Sequence, residues 1–166
     1  MGEIFGVKCS KCDYSFSANI GHGMLECGFL EINNETEKPY FYGYIKDKKI
    51  ITDIENILDT WDDVSEDDST YPWRSEWFGH GSAQYLCQEC GQLHNKFFFT
   101  LKGSGGKYQP TYCCSLCKKK LTFIELERNE SGAITIKSNQ PVKWSCPQCD
   151  NSKLMCDPNG DHIMYD

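Results

Sequence analysis

The clearest periodicity in the chain is an apolar stripe at Ile50, Ile54, Ile57, Leu58 and Trp61. The spacing i, i+4, i+7, i+8, i+11 puts all five on one face of a helix. Thr52-Asp53-Ile54-Glu55 has the form of a capping box, with Asp47 as an alternative start, and the helix is expected to end near Asp63. Elsewhere the pattern is that of strands. Leu121 to Glu127 and Ala133 to Lys137 flank the turn residues Asn129-Glu130-Ser131-Gly132, which predicts a hairpin. His162 to Tyr165 offers a third strand to it. Phe97 to Leu101 reads as a buried strand, and Pro39 to Ile45 as a short aromatic one. Lys102-Gly103-Ser104-Gly105-Gly106-Lys107 reads as a flexible joint.

Candidate chemistry enters with the cysteines. The chain has 11, and eight fall into four Cys-x-x-Cys pairs: Cys9/Cys12, Cys87/Cys90, Cys114/Cys117 and Cys146/Cys149. A tight turn with two intervening residues aims both sulfurs the same way and lets backbone N–H groups donate to the thiolates. Two such knuckles facing each other make a tetrahedral four-sulfur site. One knuckle is weak evidence, whereas four in one chain are specific for metal. The competing frame for so many cysteines is a disulfide scaffold. Met1-Gly2-Glu3-Ile4-Phe5-Gly6-Val7-Lys8 has no basic segment leading into an apolar one, and position 6 breaks the myristoylation pattern. No run of about 18 apolar residues crosses a membrane. The expected compartment is therefore cytoplasmic, where thiols stay reduced, and the expected cofactors are two zinc ions.

Three pairings of the knuckles are open: first with second and third with fourth, first with fourth and second with third, or interleaved. Lys8-Cys9-Ser10-Lys11-Cys12 and Cys113-Cys114-Ser115-Leu116-Cys117 share Cys-Ser-x-Cys running into a strand-like stretch. Tyr85-Leu86-Cys87 and Trp144-Ser145-Cys146 are each entered from an aromatic residue. The order reads opener, closer, opener, closer. It predicts Cys9, Cys12, Cys87 and Cys90 as one site, and Cys114, Cys117, Cys146 and Cys149 as the other.

On these residues the chain resembles the zinc-ribbon class. It is similar to small bacterial zinc-ribbon proteins that open with a knuckle near residue 10 and close on Cys-Pro-x-Cys near the C-terminus. The matching segments are Cys9-Ser10-Lys11-Cys12, Cys87-Gln88-Glu89-Cys90-Gly91 and Cys146-Pro147-Gln148-Cys149. Residues 30–80 lie outside the likeness, which implies metal and fold rather than function. Trp144 to Cys149 also looks like the closing knuckle of a rubredoxin, which would hold iron. The opener departs from that pattern, with Lys118-Lys119-Lys120 where rubredoxins carry Gly-Tyr. The expected fold class is a small metal-stabilised α+β chain: two zinc-ribbon-like β units with one inserted amphipathic helix. The first unit spans 1–102 with an insertion at about 28–86, the joint 103–108, and the second ribbon 109–166.

Composition narrows the function classes. A formal charge of -7 argues against sequence-independent nucleic-acid binding. The lysine clusters Lys46, Lys48, Lys49 and Lys118, Lys119, Lys120 read as solubilising. Residues 59–76 are acidic and aromatic, and Trp73, Arg74, Trp77 and Phe78 are the candidate anchors for a protein partner. Gly21-His22-Gly23 and Gly79-His80-Gly81 repeat one tripeptide, so His22, His80 and nearby Cys27 form a candidate third metal or reactive site. No nucleophile elbow, phosphate-binding loop or metalloprotease motif is present. A four-cysteine metal site has no open position at which to activate water. The expected function is a non-enzymatic zinc-binding adaptor. The alternatives are a nucleic-acid-associated ribbon protein or an enzyme built on His22, His80 and Cys27.

Overall fold

The computed structural model describes residues 2–21, 28–70, 79–138, 141–157 and 163–165. In chain order the strands are β1 (Gly2–Cys9), β2 (Ser15–Gly21), β3 (Ile32–Asn33), β4 (Lys38–Pro39), β5 (Ser65–Glu66), β6 (Gly81–Leu86), β7 (Leu93–Phe98), β8 (Leu101–Gly103), β9 (Gly106–Tyr108), β10 (Thr122–Arg128), β11 (Ala133–Lys137), β12 (Leu154–Cys156) and β13 (Ile163–Tyr165). The helices are α1 (Phe41–Tyr44) and α2 (Lys48–Thr60). Six strands pair in the order β10-β11-β12-β1-β2-β6, and β6 pairs back onto β10. This is a closed antiparallel barrel; the described residues are mostly β, with 40% strand and 14% helix, which overturns the α+β expectation of two zinc ribbons. The reason is visible in the register. β1 pairs with β12, whose residues come from the far end of the chain, with Cys9 opposite Leu154. β6 pairs with β10, with Leu86 opposite Thr122. Periodicity finds strands, but it does not find partners more than a hundred residues away.

Alternation fills the barrel. Phe5, Val7 and Cys9 of β1, Ile124 and Leu126 of β10, and Ile134 and Leu154 form one buried cluster. β6 is buried on both faces. Leu86 joins the barrel cluster, while Ala83 and Tyr85 join a second cluster with Phe29, Phe41 and the helix α2. Among the described residues, β2 and β6 form their ladder at a single position, Gly21 opposite Ser82. Side-chain amides replace the missing bonds. Asn95 donates to the Ser17 carbonyl at 2.8 Å and accepts from the Asn19 N–H at 3.0 Å. The fully buried Gln84 amide donates to the Asn19 carbonyl. A polar residue inside a barrel is tolerated there because it satisfies backbone that would otherwise be orphaned.

Helix α2 forms as its stripe requires, with Ile50, Ile54 and Ile57 buried, while Leu58 stays 38% exposed. Its cap is Asp47, whose carboxylate accepts the Lys49 N–H at 3.0 Å. The capping-box reading of Thr52 is thereby corrected, since Thr52 lies inside the helix and exposed. Asp47→Ala is expected to cost about 1 kcal/mol in a thermal melt followed by circular dichroism. Thr52→Ala should leave stability unchanged or slightly raised, because alanine is the better helix former.

Three further segments differ from expectation. Of Pro39 to Ile45 only Pro39 is in a strand, at the end of β4. The Ile45 N–H returns to the Phe41 carbonyl and closes a helical turn, α1, with Phe41 buried beside Phe29. Phe97 to Leu101 breaks between β7 and β8. The Gly-rich stretch read as a joint is the β8–β9 hairpin, with Gly103 opposite Gly106. It packs under Trp61, where a Cβ on Gly105 would sit 2.1 Å from the indole Nε1. Lys107 of β9 reaches Asp67, and this contact together with Ser69 holds the Asp67 carboxyl down at about 2. The β10–β11 hairpin is as expected, with Arg128 opposite Ile134 and Gly132 at φ +77 in the turn. Its third strand is β12, whereas β13 pairs with β1. Among the described residues, no helix is long and apolar enough to cross a membrane.

Candidate metal centres

Cys9 to Cys12 joins β1 to β2, Cys87 to Cys90 joins β6 to β7, Cys114 to Cys117 leads into β10, and Cys146 to Cys149 leads towards β12. The four turns are built alike. In each, the first cysteine's N–H donates to the carbonyl five residues on: Cys9 to Tyr14 at 2.9 Å, Cys87 to Gln92 at 2.9 Å, Cys114 to Lys119 at 2.8 Å and Cys146 to Asn151 at 2.8 Å. In three of them the residue after the second cysteine bonds back to the first, from Gly91, Lys118 and Asp150. Those three residues have φ of +71, +61 and +56. The left-handed residue turns the chain sharply enough to aim both thiols inward. Register puts all four knuckles at one end of the barrel. Cys9 lies opposite the first residue of β12, Leu86 opposite the first residue of β10, and Lys8 opposite the first residue of β2.

There the eight sulfurs gather by fours, as Cys9, Cys12, Cys146 and Cys149, the terminal group, and Cys87, Cys90, Cys114 and Cys117, the central group. Cys9 and Cys149 lie 3.6 Å apart, and Cys12 and Cys146 3.5 Å. Cys87 and Cys117 lie 3.3 Å apart, Cys90 and Cys114 3.7 Å, and Cys90 and Cys117 3.8 Å. The opener–closer pairing is therefore corrected: the first knuckle meets the fourth, and the second meets the third. The likeness of Cys-Ser-x-Cys at knuckles one and three marks neither a shared role nor a turn of their own, since the N–H closure is common to all four and knuckle one lacks the left-handed residue of knuckle three. Asn151 of the fourth knuckle reaches across to the first, donating to Cys9 Sγ at 3.3 Å and to Ser10 Oγ at 2.9 Å.

All the cysteines described are free thiols. Metal–sulfur bonds of 2.3 Å in a tetrahedron put sulfurs about 3.8 Å apart, so both groups are near the size a metal ion requires. Protonation points the same way. Burial raises the Cys9 thiol, but N–H donation from Lys11, Asn151 and Cys12 outweighs it and brings the group down to about 6. Burial likewise raises Cys114, and the N–H groups of Cys117 and Leu116 with the His94 imidazole bring it down to about 6. The partners go the other way. Cys12 is lowered by the Tyr14 N–H, yet burial and three neighbouring sulfurs push it up to about 12. Burial and the neighbouring sulfurs push Cys90 up to about 12 as well. Four sulfurs this close ionise together only around a cation. Each group can therefore hold a metal ion.

No protein-family model, curated protein or solved structure matches this chain. The two cysteine groups are compatible with a zinc-ribbon-like class of site, set here on a barrel.

The other candidates fare differently. His80 is fully buried just ahead of β6, at the barrel end away from the cysteines. Its Nδ1 lies 2.6 Å from Glu66 Oε2, and the other Glu66 oxygen accepts the Phe29 N–H at 2.7 Å. Phe29, Tyr44 and Phe97 surround the ring. His22 and Cys27 lie outside the described residues, as do Trp73, Arg74, Trp77 and Phe78. Among the described residues, only the two cysteine groups gather as metal ligands. Sequence reasoning missed His94, Asn151 and the contact of Gly91 with Ser145. Gly91 carried a signal, a glycine directly after Cys90, whereas the other two have no local pattern.

Proposed function

We propose that the chain is a non-enzymatic zinc protein in which two four-cysteine zinc ions cap one end of a β-barrel, and that it serves as a protein-interaction adaptor. The observation that carries the reading is the convergence of all four knuckles on that end in two groups of free thiols. Zinc fits because four thiolates fill its coordination shell, leaving structure rather than catalysis as the product. When bound, zinc would fix the knuckles against one another, while the backbone N–H groups around Cys9 and Cys114 hold the thiolates. Exposed Leu116 at a knuckle tip and exposed Ile32 give apolar contact points. Elemental analysis of purified protein is expected to return two zinc ions per chain and no visible absorption. Iron would colour the protein and sink the zinc assignment. For the adaptor role, a partner retained by the intact chain should be lost by a Trp73→Ala, Trp77→Ala variant that keeps its metal and its melting temperature. Retention of no partner above a matched control sinks that part.

One observation favours a nucleic-acid reading: Lys8, Lys11, Lys118, Lys119, Lys120 and Lys153 lie in or beside knuckles gathered at one end. Part of that charge is already engaged, since Lys8 lies 3.6 Å from the Asp157 carboxylate and Lys118 donates to the Ser115 carbonyl; a zinc ion with four thiolates would add a charge of about -2 beside them. A gel shift at physiological salt with micromolar protein decides between the two.

A further inference from the structure

The two cysteine groups are not equally sheltered. In the central group Cys87 and Cys114 are buried in the aromatic cluster, Cys90 and Cys117 are half-buried against it, and none is exposed. A cleft lined by Tyr112, Lys120 and Leu121 has none of the four in its wall. In the terminal group Cys9 and Cys146 are buried, Cys12 is half-buried and Cys149 is exposed. A cleft of about 410 Å³ runs along that group, with Cys9 and Cys12 in its wall between Lys8, Lys11, Met155 and Asp157. That volume is in the range that admits small molecules.

We propose that the terminal group is an exchangeable metal site that a small-molecule thiol enters through this cleft, while the central group holds its metal permanently. The inference rests on the zinc reading above. Cys9, Cys12, Cys146 and Cys149 would hold the zinc ion, and the exchange would be thiolate for thiolate: the entering thiol gives up its proton, and the exposed Cys149, once released, takes one up. No electron changes hands. The buried pair Cys9 and Cys146, anchored by N–H donation from Lys11 and Gln148 and by the Asn151 amide, stays in place while the exposed half opens. The chain would thus give or receive one metal at a defined face without losing the fold, because the central group and the closed ladder persist.

The test uses the zinc-loaded full chain. Thiols free at the outset, Cys113 among them, are first blocked. A chromogenic chelator is then added with or without millimolar glutathione as the probe thiol. Cysteines released over time are trapped by alkylation and located by mass spectrometry. Half the bound zinc should leave in a fast phase that glutathione accelerates, with Cys12 and Cys149 labelled before Cys90 and Cys117. A chain holding two zinc ions that leave in one phase, or labelling of Cys90 and Cys117 first, overturns the inference alone. A chain that never holds two zinc ions overturns the zinc reading and this inference with it.

Discussion

Serine at Cys12 and Cys149 together should leave one metal per chain, whereas serine at Cys12 and Cys117 together should leave none. The two variants remove the same number of thiols and differ only in whether the losses fall in one group or two. Under the pairing that local sequence suggests, Cys12 and Cys149 belong to different sites, and their joint loss would empty both. Native mass spectrometry of the two purified variants separates the outcomes directly. Stability should follow the metal. Apparent binding energies for structural zinc run to about 10–16 kcal/mol, comparable with the roughly 5–15 kcal/mol that stabilises a whole domain. The variant with both groups broken is therefore expected to unfold at the knuckle end. The variant with one group broken keeps the hydrophobic barrel and the central group. Cys156→Ser serves as the control, because that half-buried thiol belongs to neither group and should cost little.

How much of this was legible in the sequence follows from the range of each interaction. Helix α2 was readable because its stripe, Ile50, Ile54 and Ile57, needs only residues within two turns. The β10–β11 hairpin was readable for the same reason, since its Asn129 to Gly132 turn is local. The ligand residues were readable because Cys-x-x-Cys is a four-residue property. The partner of each knuckle was not, because it depends on which strands close the barrel. The pairing of β1 with β12 joins the two ends of the chain, and no pattern in either strand announces it. Gln84 shows the limit from the other side. A polar residue in a buried strand looks like a conflict until β2 and β6 are seen to share one ladder position, leaving the Asn19 carbonyl for it to satisfy.

Gly91→Ala should be among the most damaging single substitutions outside the ligands, lowering stability by about 3 kcal/mol or more. Two costs combine there. Gly91 has φ +71, where an L side chain loses about 1–2 kcal/mol. Its new Cβ would also sit 1.9 Å from the Ser145 carbonyl oxygen, a contact that only backbone movement relieves. Ser145 precedes Cys146, so the movement displaces a terminal-group ligand from within a central-group knuckle. The same junction holds the buried indole Nε1 of Trp144, which donates to the Gly91 carbonyl at 3.0 Å, and the Leu93 N–H, which donates to Tyr14 Oη at 3.3 Å. Gly132→Ala isolates the first cost, since Gly132 has φ +77 with nothing within 4 Å of its Cβ position. At about 3 °C per kcal/mol for a chain of this size, the metal-loaded Gly91 variant should melt about 10 °C lower than the parent and well below the Gly132 variant. Equal melting of the two glycine variants would mean that the knuckles do not touch as described. Trp144→Phe should cost about 1–3 kcal/mol by stranding the buried Gly91 carbonyl. Combined with Gly91→Ala it should cost less than the two separately, because both disturb the one junction between residues 91 and 144–145. That shortfall, measured as a double-mutant cycle, reports the coupling between the second knuckle and the segment that leads into the fourth.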